Sequence, residues 1–177
     1  FFDDVLIPHD ALIGTEGMGF RHILDGMNAE RILIASECIG DGRFFLDRAV
    51  EYANHREVFG RPIGANQGVS FQISDLAVMA ESARVLTYKA AWLKDEHTHG
   101  RRSLEEVKRA ASIAKLYSTE AAVAATRIAT QIFGGNGFME EYPVARFYRD
   151  AKILEIGEGT SEVQRMLIAR DLGLPGA

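Results

Sequence analysis

The tetrapeptide Ser103-Leu104-Glu105-Glu106 opens an alanine-rich stretch that runs to Phe133 without a glycine or proline and stops at Gly134. A serine followed three residues later by a glutamate is the pattern of a capping box, which satisfies backbone N–H groups at the start of a helix. Alanine favours the helix, and a glycine commonly ends it. The stretch therefore predicts a long helix over residues 103–133, and this helix decides that the fold is mainly α.

Apolar residues recur at helical spacing on both sides of this stretch. The spacing predicts two further long helices, over residues 16–55 and 67–96, each with an apolar face that can join a core. A shorter helix is predicted within residues 142–156, and a second capping-box pattern at residues 161–164 opens a last helix that ends near Asp171. Three long helices and a shorter pair predict an all-α antiparallel bundle.

The first 14 residues have a different character. Residues 1–8 combine aromatic and β-branched side chains, and Pro8 and Gly14 interrupt the segment. This composition predicts a final strand or an extended segment without partner strands in the chain. The predicted division is residues 1–14, the end of a preceding domain, and residues 15–177, the helical domain. Because the chain starts on Phe1 rather than methionine, we expect the natural protein to extend upstream.

Composition limits the class of protein. The chain has 177 residues, of which 47% are hydrophobic, and a formal net charge of −5. This suffices for one core without disulfides or metals, and the negative charge gives no reason to expect nucleic acid or anionic lipid. The single cysteine, Cys38, is expected to be buried. No apolar run approaches the roughly 20 residues of a membrane span, so we expect an intracellular protein.

Two glycine-containing breaks follow the long helices. Around residues 56–63, Arg56 lies three residues before Phe59, so a group that binds phosphate is near an aromatic ring. The simpler alternative is a surface arginine beside a core phenylalanine. Around residues 131–138, three glycines allow close approach to the backbone, although a helix cap and turn explain at least one of them. No strand precedes these glycines, so they do not match the dinucleotide fingerprint.

A third break places a carboxylate between two glycines. Glu158 lies between Gly157 and Gly159, just before the last predicted helix. Small neighbours allow a substrate to come close, and a short loop can aim the carboxylate into a cavity, as a general base requires. The alternative is that Glu158 only complements the dipole of the following helix. At the level of the residues alone, both interpretations stay open.

Taken in order, these breaks resemble the motifs of the acyl-CoA dehydrogenase family. The family motifs are Arg-x-x-Phe-Gly-x-Pro-Ile, Gln-Ile-x-Gly-Gly-x-Gly-Phe, Arg-Asp-Ala-Lys and Glu-Gly-Thr-Ser-Glu, and they stand at residues 56–63, 131–138, 149–152 and 158–162. Each motif is weak alone, but the ordered set is specific and spans essentially the whole chain. The resemblance implies the C-terminal helical domain of the family, with residues 1–8 similar to the end of its middle β-domain.

FAD is the cofactor that the resemblance implies, and its predicted contacts fall into two groups. Contacts to the FAD of a neighbouring subunit are matched by Arg56, Phe59, Gln67, Gln131, Gly134 and Gly135. Contacts to the FAD of the same subunit are matched by Thr160 and Glu162. Sites shared between subunits imply a homo-oligomer. Val58 departs from the pattern, because some members have a hydroxyl residue there that binds the flavin.

The implied reaction is oxidation of the α–β carbon bond of an acyl-CoA thioester. In the family a carboxylate removes the pro-R α-proton and the β-hydrogen passes as hydride to flavin N5. Most members have this base where Glu158 stands, whereas long-chain and isovaleryl-type members have it where Glu30 stands, before Arg31. We favour Glu158, and Arg31 and Gly159 are matched to substrate binding. Two carboxylates converging on one carbon would raise one another's pKa.

Relatives with other activities remain as alternatives. The net charge of −5 disfavours a DNA-binding protein of the alkylation-response type, and Glu158 disfavours a nitroalkane-oxidase type, which has aspartate there. An acyl-CoA oxidase shares the motifs, and a purely structural bundle fits the isolated chain. The resemblance further implies an electron-transfer flavoprotein as acceptor, and a bacterial cytoplasmic or mitochondrial matrix location. We expect the isolated chain to be inactive, because flavin and acyl-CoA also contact the family's other domains.

Overall fold

Three long helices frame the computed structural model, which describes residues 1–175. They are α1 (Gly19–His55), α2 (Gln67–Thr98) and α3 (Leu104–Phe133), and each packs against the other two. Their bounds agree with the predicted helices to within three residues. Tyr52 near the end of α1 contacts Phe133 at the end of α3, so both helices end on the same side of the bundle. The predicted all-α bundle is confirmed.

Small side chains let the three helices approach closely. Ala35 on α1, Ala90 on α2 and Ala114 on α3 are fully buried in one cluster. A larger cluster, towards the ends of α1 and α3, includes Phe45, Leu76, Ile132, Phe133 and Val144. Burying one such large apolar side chain contributes about 1.5–3 kcal/mol. Among the helices within residues 1–175, none has the length and apolar character needed to cross a membrane.

Cys38 lies in the core as predicted. It is 2% exposed, in a small cluster with Ala122 and Leu154. Burial is the main cause that raises the pKa of its thiol to about 12. The thiolate, which is the reactive form, is therefore strongly disfavoured at neutral pH.

The capping box at the start of α3 is confirmed. The backbone N–H of Glu106 donates to Ser103 Oγ at 3.2 Å, and the backbone N–H of Ser103 donates to Glu106 Oε2 at 2.9 Å. At the other end, Gly134 has φ +58° and ends the helix in a conformation that L side chains rarely adopt. Residues Gly134–Phe138 then form a turn of 3-10 helix.

The segment between α1 and α2 is more regular than the predicted loop. Two short antiparallel strands, β1 (Glu57–Val58) and β2 (Arg61–Pro62), form a hairpin there. Its two turn residues, Phe59 and Gly60, have φ of 56° and 77°. Positive φ at both central residues is the geometry of a type I′ turn, whose twist matches that of the flanking strands. The hairpin thus holds a phenylalanine in a conformation that is uncommon for non-glycine residues.

The C-terminal helices are shorter and packed against α3. They are α4 (Pro143–Asp150) and α5 (Ser161–Asp171), joined by a 3-10 turn at Ala151–Glu155 and a loop. The shorter helix predicted within residues 142–156 is confirmed as α4, and 3-10 structure follows it. The predicted Ser161 cap is wrong by one residue: Thr160 Oγ1 caps α5 by accepting from the N–H of Val163 at 3.3 Å.

Residues 1–18 form no strand and are exposed along their length. Apart from a 3-10 turn at His9–Ala11, the segment is an extended or bent lead into α1. Of the two predicted outcomes, a strand or an extended segment, the second is the observed one. The physical reason is that the described residues offer no neighbouring strand to pair with its backbone groups.

Candidate active site

The loop before α5 holds Glu158 in a strained backbone conformation. Glu158 has φ of 55°, which is uncommon for a residue with a side chain, and Gly159 has φ of 94°. A Cβ atom added to Gly159 would stand 2.8 Å from Gln164 Nε2, so the position has no room for a side chain. Such conformations cost about 1–3 kcal/mol and persist only where the surroundings enforce them.

Two buried side chains enforce this loop. Lys115 on α3, which is fully buried, donates from Nζ to the carbonyl oxygen of Gly159 at 2.8 Å. Gln164 on α5, also fully buried, donates from Nε2 to the carbonyl oxygens of Glu158 at 3.2 Å and Gly159 at 3.0 Å. Three hydrogen bonds from two helices therefore fix the backbone on which Glu158 stands.

The fold brings Glu158 to Glu30 and Arg31, although the residues are far apart in sequence. The Glu158 and Glu30 side chains lie close enough for a hydrogen bond when one of the two carboxyl groups is protonated, and the Arg31 charge acts on Glu158. Arg31 is buried on α1 and donates from Nη1 to Asn28 Oδ1 at 3.2 Å. We call Glu30, Arg31 and the loop of residues 157–159 the carboxylate site.

Charges in the carboxylate site oppose one another. The hydrogen bond to Glu30 raises the pKa of Glu158 above the usual range for glutamate, and partial burial and the Glu30 charge add to this. The Arg31 and Lys115 cations act in the other direction. Burial lowers the pKa of Arg31, and Glu158 counters the effect. A carboxylate whose pKa is raised holds a proton more tightly than an ordinary glutamate, as a general base requires.

Unused hydrogen-bonding capacity surrounds the same loop. Among the residues that the structure describes, three buried side-chain atoms have no hydrogen-bond partner: Arg31 Nε, Ser161 Oγ and Gln164 Oε1. Buried polar atoms without partners are rare and call for an explanation. Their grouping around Glu158 fits a site where a polar substrate or cofactor completes the set.

The start of α5 carries Thr160 and Glu162. Besides capping the helix, the Thr160 hydroxyl lies close to the Glu162 carboxylate. The backbone N–H of Glu162 is the main cause that lowers the pKa of this carboxylate, and Thr160 adds to it. Glu162 is exposed and Thr160 half-buried, so both can contact a ligand that lies over the helix start.

A second group of predicted residues lies where α1 and α3 end. The rings of Tyr52 and Phe133 stack with centroids 4.3 Å apart. Tyr52 donates to the carbonyl oxygen of Phe133 at 3.3 Å and accepts from Asn136 Nδ2 at 3.0 Å. In the turn that follows, Gly137 is packed so closely that an added Cβ would stand 2.5 Å from the carbonyl oxygen of Thr130. This contact explains one of the three glycines by packing.

The other glycines of this turn face outwards. An added Cβ at Gly134 or Gly135 would meet nothing within 4 Å, and Gln131 is exposed beside them. The hairpin points outwards too: Phe59 is 102% exposed, and Arg56 and Gln67 are also exposed. The interpretation of Phe59 as a core residue is therefore wrong. We call the β1–β2 hairpin together with the turn at Gly134–Phe138 the hairpin end.

The two groups of residues are far apart. Glu30 and His55 are separated by 25 residues of α1, which corresponds to about 38 Å along the helix axis. One group consists of the carboxylate site with Thr160 and Glu162 beside it. The other consists of the hairpin end with its neighbours Arg56, Gln67 and Gln131. The described residues contain no group of His, Cys, Asp and Glu side chains that could hold a metal ion.

Sequence reasoning missed Lys115 and Gln164. A signal for Lys115 was present, because Ala111, Thr119 and Ala122, at four and seven residues' distance, lie on the same buried face of α3. A lysine on such a face needs a partner. The signal for Gln164 was misread, since its place in the pattern of residues 161–164 suggested a capping role.

Comparison with known proteins agrees with the arrangement of motifs. The family model described as "Acyl-CoA dehydrogenase, C-terminal domain" matches residues 17–173. An acyl-CoA dehydrogenase of Bacillus subtilis is 46% identical over 171 residues, which is 97% of this chain and 43% of that protein. The mitochondrial short-chain specific acyl-CoA dehydrogenase of Bos taurus is 44% identical over 97% of this chain and 40% of its own length.

A solved structure has the same fold over nearly the whole chain. Butyryl-CoA dehydrogenase from Megasphaera elsdenii superimposes with a TM-score of 0.88 at 41% identity, covering 97% of this chain and 43% of its own. The present chain thus spans about two fifths of the length of the relatives it matches.

Proposed function

Because the chain belongs to the acyl-CoA dehydrogenase family, as its C-terminal domain, we propose that it takes part in FAD-dependent oxidation of acyl-CoA thioesters to α,β-unsaturated products. The observation that carries the proposal is the convergence of Glu30, Arg31 and Glu158 from opposite parts of the sequence. This convergence provides a carboxylate that can take a proton, beside a cation and unpartnered polar atoms.

We propose Glu158 as the base that removes the α-proton of the substrate. Its backbone is fixed by three hydrogen bonds, and its raised pKa makes it a stronger base than an ordinary glutamate. Glu30 holds the other end of the shared hydrogen bond, and Arg31 limits the rise of the pKa of Glu158 by its positive charge. We further propose that Gly159 contacts the thioester through its backbone, because this position has no room for a side chain. When bound, FAD supplies the acceptor for the β-hydride.

The exposed groups of the chain fit FAD binding at two places. Thr160 and Glu162 at the start of α5 lie beside the carboxylate site and would contact the FAD that serves it. Arg56, Phe59 and Gln67, with Gln131 and the open glycines, lie at the hairpin end, about 38 Å away along α1. Because one FAD bound at the carboxylate site cannot also reach residues that far away, we propose that they contact the FAD of a neighbouring subunit, which makes the protein a homo-oligomer.

We propose acyl-CoA as the substrate and an electron-transfer flavoprotein as the electron acceptor. The names of the relatives, a short-chain specific enzyme and a butyryl-CoA dehydrogenase, make short acyl-CoAs the first candidates. Rapid reoxidation of the reduced flavin by O₂ alone would instead indicate an oxidase. Both bacterial and mitochondrial proteins are among the relatives, so either the bacterial cytoplasm or the mitochondrial matrix fits as location.

The test is anaerobic bleaching of flavin absorbance when the full-length holoprotein is mixed with acyl-CoAs of increasing chain length. Glu158→Gln should lower the bleaching rate by roughly 10²–10⁴-fold, the usual contribution of a general base. Glu30→Gln should retain bleaching, and the double variant should match Glu158→Gln. Glu140→Gln, at an exposed glutamate outside the carboxylate site, is the matched control.

The pH dependence separates the two carboxylates. A base acts only when ionised, so the bleaching rate should fall as the pH drops through the raised pKa of Glu158. Glu30→Gln removes the largest cause of the raised pKa of Glu158. The pH at which the bleaching rate falls should therefore shift to a lower value in this variant. A rate lost in Glu30→Gln but kept in Glu158→Gln would assign the base to α1. If no thioester bleaches the unaltered protein, the dehydrogenase proposal fails.

A further inference from the structure

The complete burial of Lys115 is unusual for a charged side chain. Its side chain is fully buried on α3, a state that lysine rarely adopts without a partner of opposite charge. Within residues 1–175, no carboxylate oxygen lies within 4.0 Å of Lys115 Nζ, which is the distance limit for an ion pair. The one bond that Nζ makes in this part of the chain is to the carbonyl oxygen of Gly159. The buried cation is thus directed at the loop of the proposed base.

That loop needs support from outside. Glu158 and Gly159 both have positive φ, and a peptide that rotated away would carry the Glu158 side chain with it. The carbonyl oxygen of Gly159 accepts from Lys115 and from Gln164, and the carbonyl oxygen of Glu158 accepts from Gln164. Donors from α3 and α5 therefore reach the loop together.

We propose that Lys115 is a positioning residue that, with Gln164, holds the left-handed backbone of Glu158 and so aims its carboxylate at Glu30 and the substrate. The inference rests on the proposed role of Glu158 as base. Lys115 itself touches neither carboxylate within bonding distance, so its action passes through the backbone of Gly159.

A purely structural role would favour a different residue at this position. A buried cation without an ion pair is destabilising, and replacing buried charges by apolar side chains of similar size is often neutral or stabilising. Methionine has nearly the shape of lysine without its charge. Lys115→Met should therefore leave the melting temperature unchanged or higher while slowing the reaction, a split that a structural residue would not produce.

The experiment compares Lys115→Met and Gln164→Leu with the unaltered full-length holoprotein. The bleaching rate at saturating acyl-CoA should fall roughly tenfold or more in both, since a displacement near 1 Å can cost about 10²-fold. The half-saturating acyl-CoA concentration should change little, because substrate binding is not altered. The isotope effect from α-deuterated substrate should rise, since proton abstraction by a misplaced base becomes more rate-limiting.

Ser118→Ala is the matched control. Ser118 is buried on the same helix, and its hydroxyl faces Thr87 rather than the loop. It should leave both the rate and the isotope effect unchanged.

Two results would overturn the proposal. One is an unaltered bleaching rate in Lys115→Met. The other is a slower rate with an unchanged isotope effect and a matching loss of FAD content or melting temperature, which would indicate a general structural role. If Lys115→Met gives no soluble holoprotein, the isotope effect of Gln164→Leu tests the proposal instead. This variant removes the donor to the carbonyl oxygens of Glu158 and Gly159 without removing a charge. Absence of bleaching in the unaltered protein would reject the proposed function as well.

Discussion

At the carboxylate site, Lys115 and Gln164 reach from two helices to fix one short loop, whereas at the hairpin end Phe59 extends from a two-residue turn into solvent. The loop of the first region is held by two fully buried side chains of its own chain, Lys115 and Gln164. The second region presents an aromatic ring, an arginine and bare glycine backbone outwards.

The difference corresponds to two kinds of task. A group that takes a proton must be held within a fraction of an ångström, so its supports belong to the same rigid bundle. A group that contacts a molecule held elsewhere must be accessible, so a hairpin tip and an open turn are suitable. Strain is present in both regions, at Glu158 and at Phe59, but only the first is held by buried donors.

The largest effect on stability is expected at Gly137, because this residue is tightly packed although the rest of the hairpin end is open. Gly137→Ala would place a Cβ 2.5 Å from the backbone oxygen of Thr130, which cannot move without shifting α3. We expect the free energy of unfolding to fall by about 1–3 kcal/mol or more. Gly135→Ala, where the added Cβ meets nothing within 4 Å, is the control and should change stability by less than about 0.5 kcal/mol. Equal losses in urea unfolding would mean that the turn is uniformly packed.

Phe59→Ala tests whether the exposed tip serves another molecule. The ring is 102% exposed, so its removal should leave the melting temperature unchanged. If the ring becomes buried against FAD, the dissociation constant for FAD should rise roughly ten- to hundredfold, the equivalent of about 1.5–3 kcal/mol. Fluorescence titration of the full-length apoprotein measures this. The control is Val85→Ala, at an exposed apolar side chain on α2, which should leave FAD affinity unaltered. If Phe59→Ala also leaves FAD affinity unaltered, Phe59 does not contact the cofactor.

The start of α5 offers a smaller test at the carboxylate site. Thr160→Ala removes the observed cap and should cost about 1 kcal/mol of stability. Ser161→Ala removes a buried hydroxyl without a partner in the described chain and should be neutral or slightly stabilising in the protein without ligand. Thermal unfolding of the two variants gives the comparison. If Ser161→Ala lowers the stability more than Thr160→Ala does, Ser161 is the cap, as predicted from the sequence.

Asp41 gives the smallest expected effect and concerns pH. Burial is the main cause that raises the pKa of its carboxyl from 3.8 to about 6 in the folded protein, so the folded state binds the proton more tightly than the unfolded state. The resulting stability is present below pH 3.8 and is lost as the pH rises through about 6. Asp41→Asn should therefore raise the melting temperature at pH 7 to 8, relative to the unaltered protein, but not near pH 3.5.

The control for this pH effect is Asp47→Asn, at an exposed carboxylate on the same helix. It should give the same melting temperature as the unaltered protein at both pH values. If Asp41→Asn behaves in the same way, burial of its carboxylate is not destabilising.

The helices could be predicted from the sequence because their signals are local. Apolar spacing and the Ser103–Glu106 pair fix α1, α2 and α3 to within a few residues. The errors arise where a tertiary contact overrides the local pattern. Gln164 stands where a capping partner would, but its amide bonds to the loop carbonyls instead, and the cap moves to Thr160.

The convergence of Glu30 and Glu158 could be predicted only from family resemblance, because 128 residues separate them in the sequence. A core position for Phe59 is one of the two interpretations that the residues alone allow, because aromatic side chains are usually buried, and its positive φ in a hairpin turn is not visible in the residue order. Lys115 required knowledge of which face of α3 is buried. For Glu30, Glu158 and Lys115 the missing information is which distant elements meet, and for Phe59 it is the local backbone conformation.

The hydrogen bonds of Tyr52 also bear on how the chain is made. They join residues that are 81 and 84 positions apart, so they cannot form until Phe133 and Asn136 have been synthesised. At about 5–20 residues per second, the ribosome needs roughly 4–17 seconds to cover that distance. During that interval α1 and α2 can pair locally, while the aromatic face around Tyr52 stays uncovered and open to chaperones or to wrong contacts. The order of synthesis thus makes the contacts of Tyr52 with Phe133 and Asn136 a late step of folding.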